Sequence, residues 1–150
     1  MASFSLQIDR FVKTVKARED VVIRRVGLQA LESVVYMSPV GNPDLWKRPR
    51  KGYVGGRFRG NWQVGLNAPI RGTLQTIDPS GTQTIARGKQ ALSLAKAGGV
   101  IYLSNNLPYA RALEYGHSQT QAPNGMVRIT AARLQGMLDK AVAAAKKEVP

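Results

Sequence analysis

Apolar residues near the N-terminus recur at the spacing of a single helix face. Ile8, Phe11, Val12 and Val15 form one set, and Val22, Val26, Ala30 and Val34 form a second. Steps of three and four residues draw a stripe along a 3.6-residue helix, so both sets predict helix from about Ser5 to Met37. The polar run Lys16–Asp20 lies between them and predicts two helices, or one bent near Ala17–Asp20. Arg10, Lys13, Lys16, Arg24 and Arg25 fall off the stripe and belong to solvent or a neighbour. Pro39 ends the segment, because the residue before a proline disfavours helical geometry.

The period then changes from 3.6 to 2. In Asn61–Leu66, Trp62, Val64 and Leu66 alternate with polar or small residues, the pattern of a half-buried strand with Trp62 in the core. Thr73–Ile77 and Val100–Ser104 predict two further short strands. Between these, Asp78-Pro-Ser-Gly81 is a turn leading into a helix over about Thr82–Ala97, capped by Ser80 or Thr82, with Lys96 in its last turn and Gly98 ending it. Pro108 suits the first position of a short helix that stops at Gly116. The final segment, about Met126–Val149, is amphipathic, with Val127, Leu134, Leu138, Val142 and Ala145 on one face. Helices flanking a small strand region predict a single α+β domain over residues 1–150. Its small, mainly antiparallel β-sheet is packed by a long N-terminal helix and a C-terminal helix.

One stretch fits neither period. Residues 39–60 form a long loop whose centre, Trp46–Arg59, reads WKRPRKGYVGGRFR. It carries Lys47, Arg48, Arg50, Lys51, Arg57 and Arg59, and no acidic residue occurs from Leu45 to Ile77. Gly52, Gly55 and Gly56 exclude a stable helix there, and the apolar content is too low for independent folding. Trp46, Tyr53 and Phe58 are spaced through the cations. Tryptophan and arginine are enriched at interface hot spots, which makes this loop a candidate partner surface; stacking on nucleic-acid bases is the competing use.

Composition narrows the field. The chain has 150 residues, no cysteine and a formal charge of +13. Absence of cysteine removes disulfides, thiolate catalysis and cysteine-based zinc sites, and fits synthesis in a reducing cytoplasm. No apolar run approaches the roughly 20 residues of a membrane span, and no signal-peptide core is present. The charge favours an anionic partner, either nucleic acid or an acidic protein surface. The single histidine, His117, sits in a polar loop with too few other ligands nearby for zinc. No nucleophile–base pair and no phosphate-binding glycine motif is found, so no catalytic residue, metal or cofactor is assigned. Asp78 closes a turn with Pro79 and Ser80. Glu114 lies three residues after Arg111, within reach of a local ion pair, or of a basic residue on the next copy of the chain.

Three stretches, taken in order, resemble a phage family. They are Ser38-Pro-Val40 followed by Gly56-Arg-Phe-Arg-Gly-Asn-Trp-Gln-Val64; Gly99-Val-Ile-Tyr-Leu-Ser-Asn-Asn-Leu-Pro-Tyr-Ala110; and Leu113-Glu-Tyr-Gly-His-Ser118 with Gln121-Ala-Pro-Asn-Gly-Met-Val127. This order is similar to that of the small neck or minor tail components of long-tailed bacteriophages. The resemblance runs from about residue 30 to 135. It departs where the family has a compact turn, because this chain inserts Gly41–Gly55 with most of the basic run. The resemblance implies a structural virion protein at the head–tail junction, made and assembled in the host cytoplasm. It implies a homo-oligomeric ring, sixfold in the family, around the DNA channel. Its partners would be head-connector proteins above and tail-tube or terminator proteins below, with nonspecific DNA contact in the channel and no membrane. The candidate interface residues are Trp46, Lys47, Arg48, Arg50, Lys51, Tyr53, Arg57, Phe58, Arg59, Arg111, Glu114 and His117. A ring needs two unlike surfaces per subunit, and the basic loop and the Glu114–His117 corner are the pair expected to meet. The alternative is a free basic nucleic-acid-binding protein.

Overall fold

The computed structural model describes residues 4–150, with side chains from Gln7 onward. The fold is α+β: a two-stranded antiparallel sheet held between a long N-terminal helix, a central helix and a C-terminal helix. Helix α1 spans Phe4–Met37, a short 3-10 turn spans Pro43–Leu45, and helix α2 spans Arg57–Gly60. Strand β1 covers Gln63–Leu66, helix α3 Thr82–Leu92, strand β2 Ile101–Ser104, helix α4 Ala110–Glu114 and helix α5 Val127–Glu148. No helix among the described residues is long and apolar enough to cross a membrane.

Helix α1 is continuous, with no break at Ala17–Asp20. The run contains no proline or glycine, and its Arg18 and Asp20 side chains have partners elsewhere in the fold. Asp20 accepts from the Ala97 N–H at 2.7 Å and pairs with Lys96 at 3.2 Å. Arg18 Nε donates to the Val149 carbonyl, and Arg24 Nε donates to the Ala95 carbonyl. The N–H from Ala97 is the main cause that holds the Asp20 carboxyl below its ordinary range. A polar stretch that looks like an interruption is therefore the point where α1 is tied to the loop after α3 and to the end of α5.

Strands β1 and β2 pair in the register Val64–Leu103 and Leu66–Ile101. Two strands alone are marginal in water, so this pair depends on the helices packed against it. Leu31, Val34 and Val35 of α1 meet Trp62, Val64, Leu92 and Met126 in the core. Gly88 lets α3 approach closely, since a Cβ there would run into Leu31 of α1 and stand 3.1 Å from Val64 of β1. Trp62, just before β1, is buried, as the alternation predicts.

Thr73–Ile77 does not form the expected strand. The buried Asn61 amide takes the place of a neighbouring strand there. Its Nδ2 donates to the Leu74 carbonyl at 3.0 Å and its Oδ1 accepts from the Leu74 N–H at 2.7 Å. Gln63 and Asn106 side chains bind the Gly72 carbonyl in the same way. Extended backbone is held here by amides, so no ladder develops.

Helix α3 is shorter than expected and ends at Leu92, leaving Lys96 and Gly98 in the following turns. Its cap is also different. The N-cap residue is Gly81; Ser80 Oγ accepts from the Thr82 N–H at 3.2 Å, and Asp78, buried, accepts from the N–H groups of Gly81 and Thr84 and from the Thr84 hydroxyl. Burial works to raise the Asp78 pKa, but these hydrogen bonds together hold it below the ordinary value.

Candidate assembly interface

Residues from Ser38–Val40, Gly56–Val64, Gly99–Ala110 and Gln121–Val127 are joined by side-chain hydrogen bonds into one block. Ser38, just past α1, donates to the Val34 carbonyl at 2.6 Å and accepts from the Trp62 indole at 2.7 Å. Asn105 Nδ2 donates to the Phe58 carbonyl at 2.9 Å, tying the end of β2 to α2. Gln121 clamps the start of the long loop: its Oε1 accepts from the Val40 N–H at 2.8 Å, and its Nε2 donates to the Val40 carbonyl at 3.0 Å.

The basic loop is a closed excursion with local structure of its own. Asn42 Oδ1 accepts from the Asp44 N–H and starts the 3-10 turn. The Trp46 and Tyr53 rings meet at 4.7 Å between centroids, across the base of the loop. Gly55 lies directly against the Gly41 carbonyl, with no room for a side chain, so the two ends touch. This is the form of an Ω-loop, compact although it is not a helix or strand. Lys47, Arg48, Arg50 and Lys51 are all exposed on it. Leu45 and Trp46 also remain 78% and 42% exposed, so the loop presents apolar surface among its cations.

Beneath the loop is an open cleft of about 640 Å³, whose walls include Trp46, Tyr53, Phe58, Tyr109, His117 and Gln121. The basic loop and the His117 corner thus face each other within one chain. Within one chain they therefore lie on one continuous surface around the cleft. Burial raises the Tyr109 pKa, with Arg57 opposing.

Several candidate residues have internal roles. Phe58 is 5% exposed and packs edge-on against Trp62 and tilted against Tyr109, so it belongs to the core and only floors the cleft. Arg59 donates to the Tyr36 and Ser38 carbonyls at 3.1 and 2.8 Å and to the Pro79 carbonyl at 2.6 Å. It satisfies carbonyls at the end of α1, where a cation also complements the helix dipole. Arg57 is half-buried beside it, and its Nε has no hydrogen-bond partner within the described chain.

Glu114 faces its own chain. Its carboxylate accepts from the N–H groups of Met126, Val127 and Arg128 at 2.8, 2.9 and 3.0 Å, and from Arg128 Nε at 3.3 Å. Burial raises its pKa, but the three backbone N–H groups and Arg128 outweigh it and lower the value. The partner is Arg128; Arg111 instead lies over the Tyr115 ring, 5.9 Å from its centroid. Glu114 is the N-terminal cap of α5, supplied from a distance of twelve residues. Sequence spacing gave no signal for this, because the cap does not precede its helix directly. Gln121 and Tyr109 were missed for a similar reason: each acts through a contact distant in sequence.

Among the described residues no three His, Asp or Glu side chains converge as a metal site requires. Comparison with protein-family models, with curated proteins and with solved structures finds no match to this chain.

Proposed function

We propose that this chain is a structural, non-enzymatic virion protein of the head–tail junction of a long-tailed phage. It is assembled in the host cytoplasm as a ring around the DNA channel, joining the head connector to the tail. The observation that carries this reading is the cleft under the basic loop. Four exposed cations and a half-exposed tryptophan stand on a loop rooted in the hydrogen-bonded block that contains the family-like stretches. An exposed aromatic beside cations is the composition of a docking anchor, and it suits an acidic protein surface. The ordered resemblance from about residue 30 to 135 supplies the location. The inserted loop is then this chain's own addition, reaching a neighbouring virion protein.

The test is location. Gold-labelled antibody against this chain is expected to mark the vertex joining head and tail in particles from producing cells. Particles that lack the protein and still have joined heads and tails would refute the proposal.

A second reading, free nucleic-acid binding, is favoured by the Trp46–Tyr53 pair among exposed Lys and Arg side chains. It requires tight binding by the isolated chain that weakens by orders of magnitude between about 50 and 200 mM salt. Weak binding at both salt concentrations supports the assembly reading.

A further inference from the structure

Helices α1 and α5 run antiparallel, but they do not begin and end together. Ser33 meets Thr130 at 2.7 Å, Arg25 meets Glu148, and Arg18 meets Val149. α5 stops at Glu148, whereas α1 continues past Arg18 toward Phe4. That overhang of about 14 residues is roughly 21 Å long at 1.5 Å per residue. Every described side chain from Gln7 to Lys13 is exposed. Among them, Ile8, Phe11 and Val12 are 45%, 67% and 40% exposed. They occupy positions i, i+3 and i+4, the anchor spacing of a helix that lies in a groove, while Val15 at i+7 is half-buried and lines the chain's own groove.

The same chain carries an open groove of about 970 Å³ between α1, α5 and the sheet. Val22 and Val26 form one wall, Leu134, Leu138 and Val142 the other, and Trp62 contributes to the lining. The apolar stripe of α5 is only partly covered: Leu134 and Leu138 are 41% and 39% exposed. A soluble domain seldom leaves a continuous apolar surface of this kind without an interaction partner.

We infer that this groove seats the overhanging N-terminal half of α1 from a second copy of the chain. This deepens the self-assembly part of the proposed function and rests on it. Three features favour a second copy over another occupant. First, one chain supplies both an uncovered apolar helix and an uncovered apolar groove, so copies satisfy each other without a third component. Second, the exposed apolar side chains of the groove, Leu134, Leu138 and Val142, offer seats for the exposed Ile8, Phe11 and Val12 of the overhang. Third, the borders carry both signs: Asp9 and Lys13 flank the stripe on the overhang, and Glu19 and Lys146 stand at the groove. The contact is apolar at its centre, whereas the chain bears a charge of +13. Association is therefore expected to persist or strengthen in salt, which screens repulsion between copies, unlike a contact made of ion pairs.

The experiment uses full-length chains in sedimentation equilibrium, at a physiological salt concentration and at about 0.5 M salt. The unaltered chain is expected to self-associate with a Kd in roughly the micromolar range or tighter. Phe11→Glu lies outside the folded body and should retain the circular dichroism of the parent, yet weaken association about thirtyfold or more. Leu138→Glu alters the groove and should do the same. Mixing the two variants is expected to restore a heterodimer, because one still has an intact groove and the other an intact overhang. Should Leu138→Glu fail to fold, the absence of natural cysteine permits a second measurement. Phe11→Cys on one chain should cross-link to Leu134→Cys on another faster than to itself.

A parent chain that stays monomeric at roughly 100 µM, a hundredfold above a micromolar Kd, would overturn the inference. So would a Phe11→Glu chain that assembles like the parent; in that case copies join elsewhere and the assembly reading still stands. Successful complementation in a protein absent from phage particles would leave the inference intact and remove the virion assignment instead.

Discussion

The indole N–H of Trp62 donates to the Ser38 hydroxyl at 2.7 Å, and that hydroxyl donates onward to the Val34 carbonyl at 2.6 Å. Both side chains are buried, so the first residue after α1 is fixed to the residue before β1 by a short polar chain inside the core. Ser38→Ala leaves a buried indole donor without its partner. The expected cost is about 1–3 kcal/mol in urea unfolding followed by circular dichroism. Trp62→Ala removes the ring as well and should cost roughly 3–5 kcal/mol. Equal stability of the parent and Ser38→Ala would show that the bond contributes nothing net.

Glu114 makes α5 sensitive to acid. Its folded pKa lies below the ordinary value, so its contribution is complete above the unfolded pKa, about 4.3, and is lost as pH falls through the lower folded value. Glu114→Gln keeps the shape but not the charge. At neutral pH it should cost about 1–2 kcal/mol, the range of a lost helix cap. The stability gap between parent and variant should be constant above about pH 5 and close as pH drops below about 4. A gap that does not change with pH would mean that the charge is irrelevant to the cap.

Trp46 contrasts with Trp62 in every respect that affects stability. It is partly exposed, and its recorded ring contact is with Tyr53. Trp46→Ala should therefore cost no more than the aromatic pair, about 0.5–1.5 kcal/mol. If the chain holds the proposed place in the virion, its incorporation into particles should nevertheless fall about tenfold or more, a size typical of an interface anchor. Normal incorporation of a folded Trp46→Ala chain would take the loop out of the docking surface.

Limited trypsin digestion reads the same loop directly. Lys47 and Lys51 are exposed on a segment without ladder or helix bonds, so the first cuts in isolated protein are expected there. In assembled particles those cuts should be suppressed. Cleavage at the same rate in both settings would contradict burial of the loop on assembly.

The helical frame was legible because its apolar periods are long. The stripes of α1 and α5 and the alternation around Trp62 all identify real elements. What failed was inference from local signals about distant partners. Lys16–Asp20 looks like a break only if Asp20 is assumed to face water; its bond to Ala97 is invisible in the sequence. Thr73–Ile77 has strand composition, but the Asn61 amide occupies the bonds a strand would use. Amphipathy in α5 showed which side is apolar and not what covers it: Leu134 and Leu138 line an open groove. Among the candidate site residues, the exposed cations and Trp46 could be read from composition. The internal duties of Arg59 and Glu114 could not, because each answers to backbone groups brought near only by folding.

Helix α1 is 34 residues without a hinge, a strut of about 51 Å. Its far end is bolted through Arg59 and the Ser38–Trp62 bond to the foot of the cationic loop. A tug on its exposed tip is met midway by the ties of Asp20 and Arg18, about which the unbroken rod pivots to pass displacement to the other extremity. Two grips on this molecule, one at each terminus of the rod, would be mechanically geared to one another.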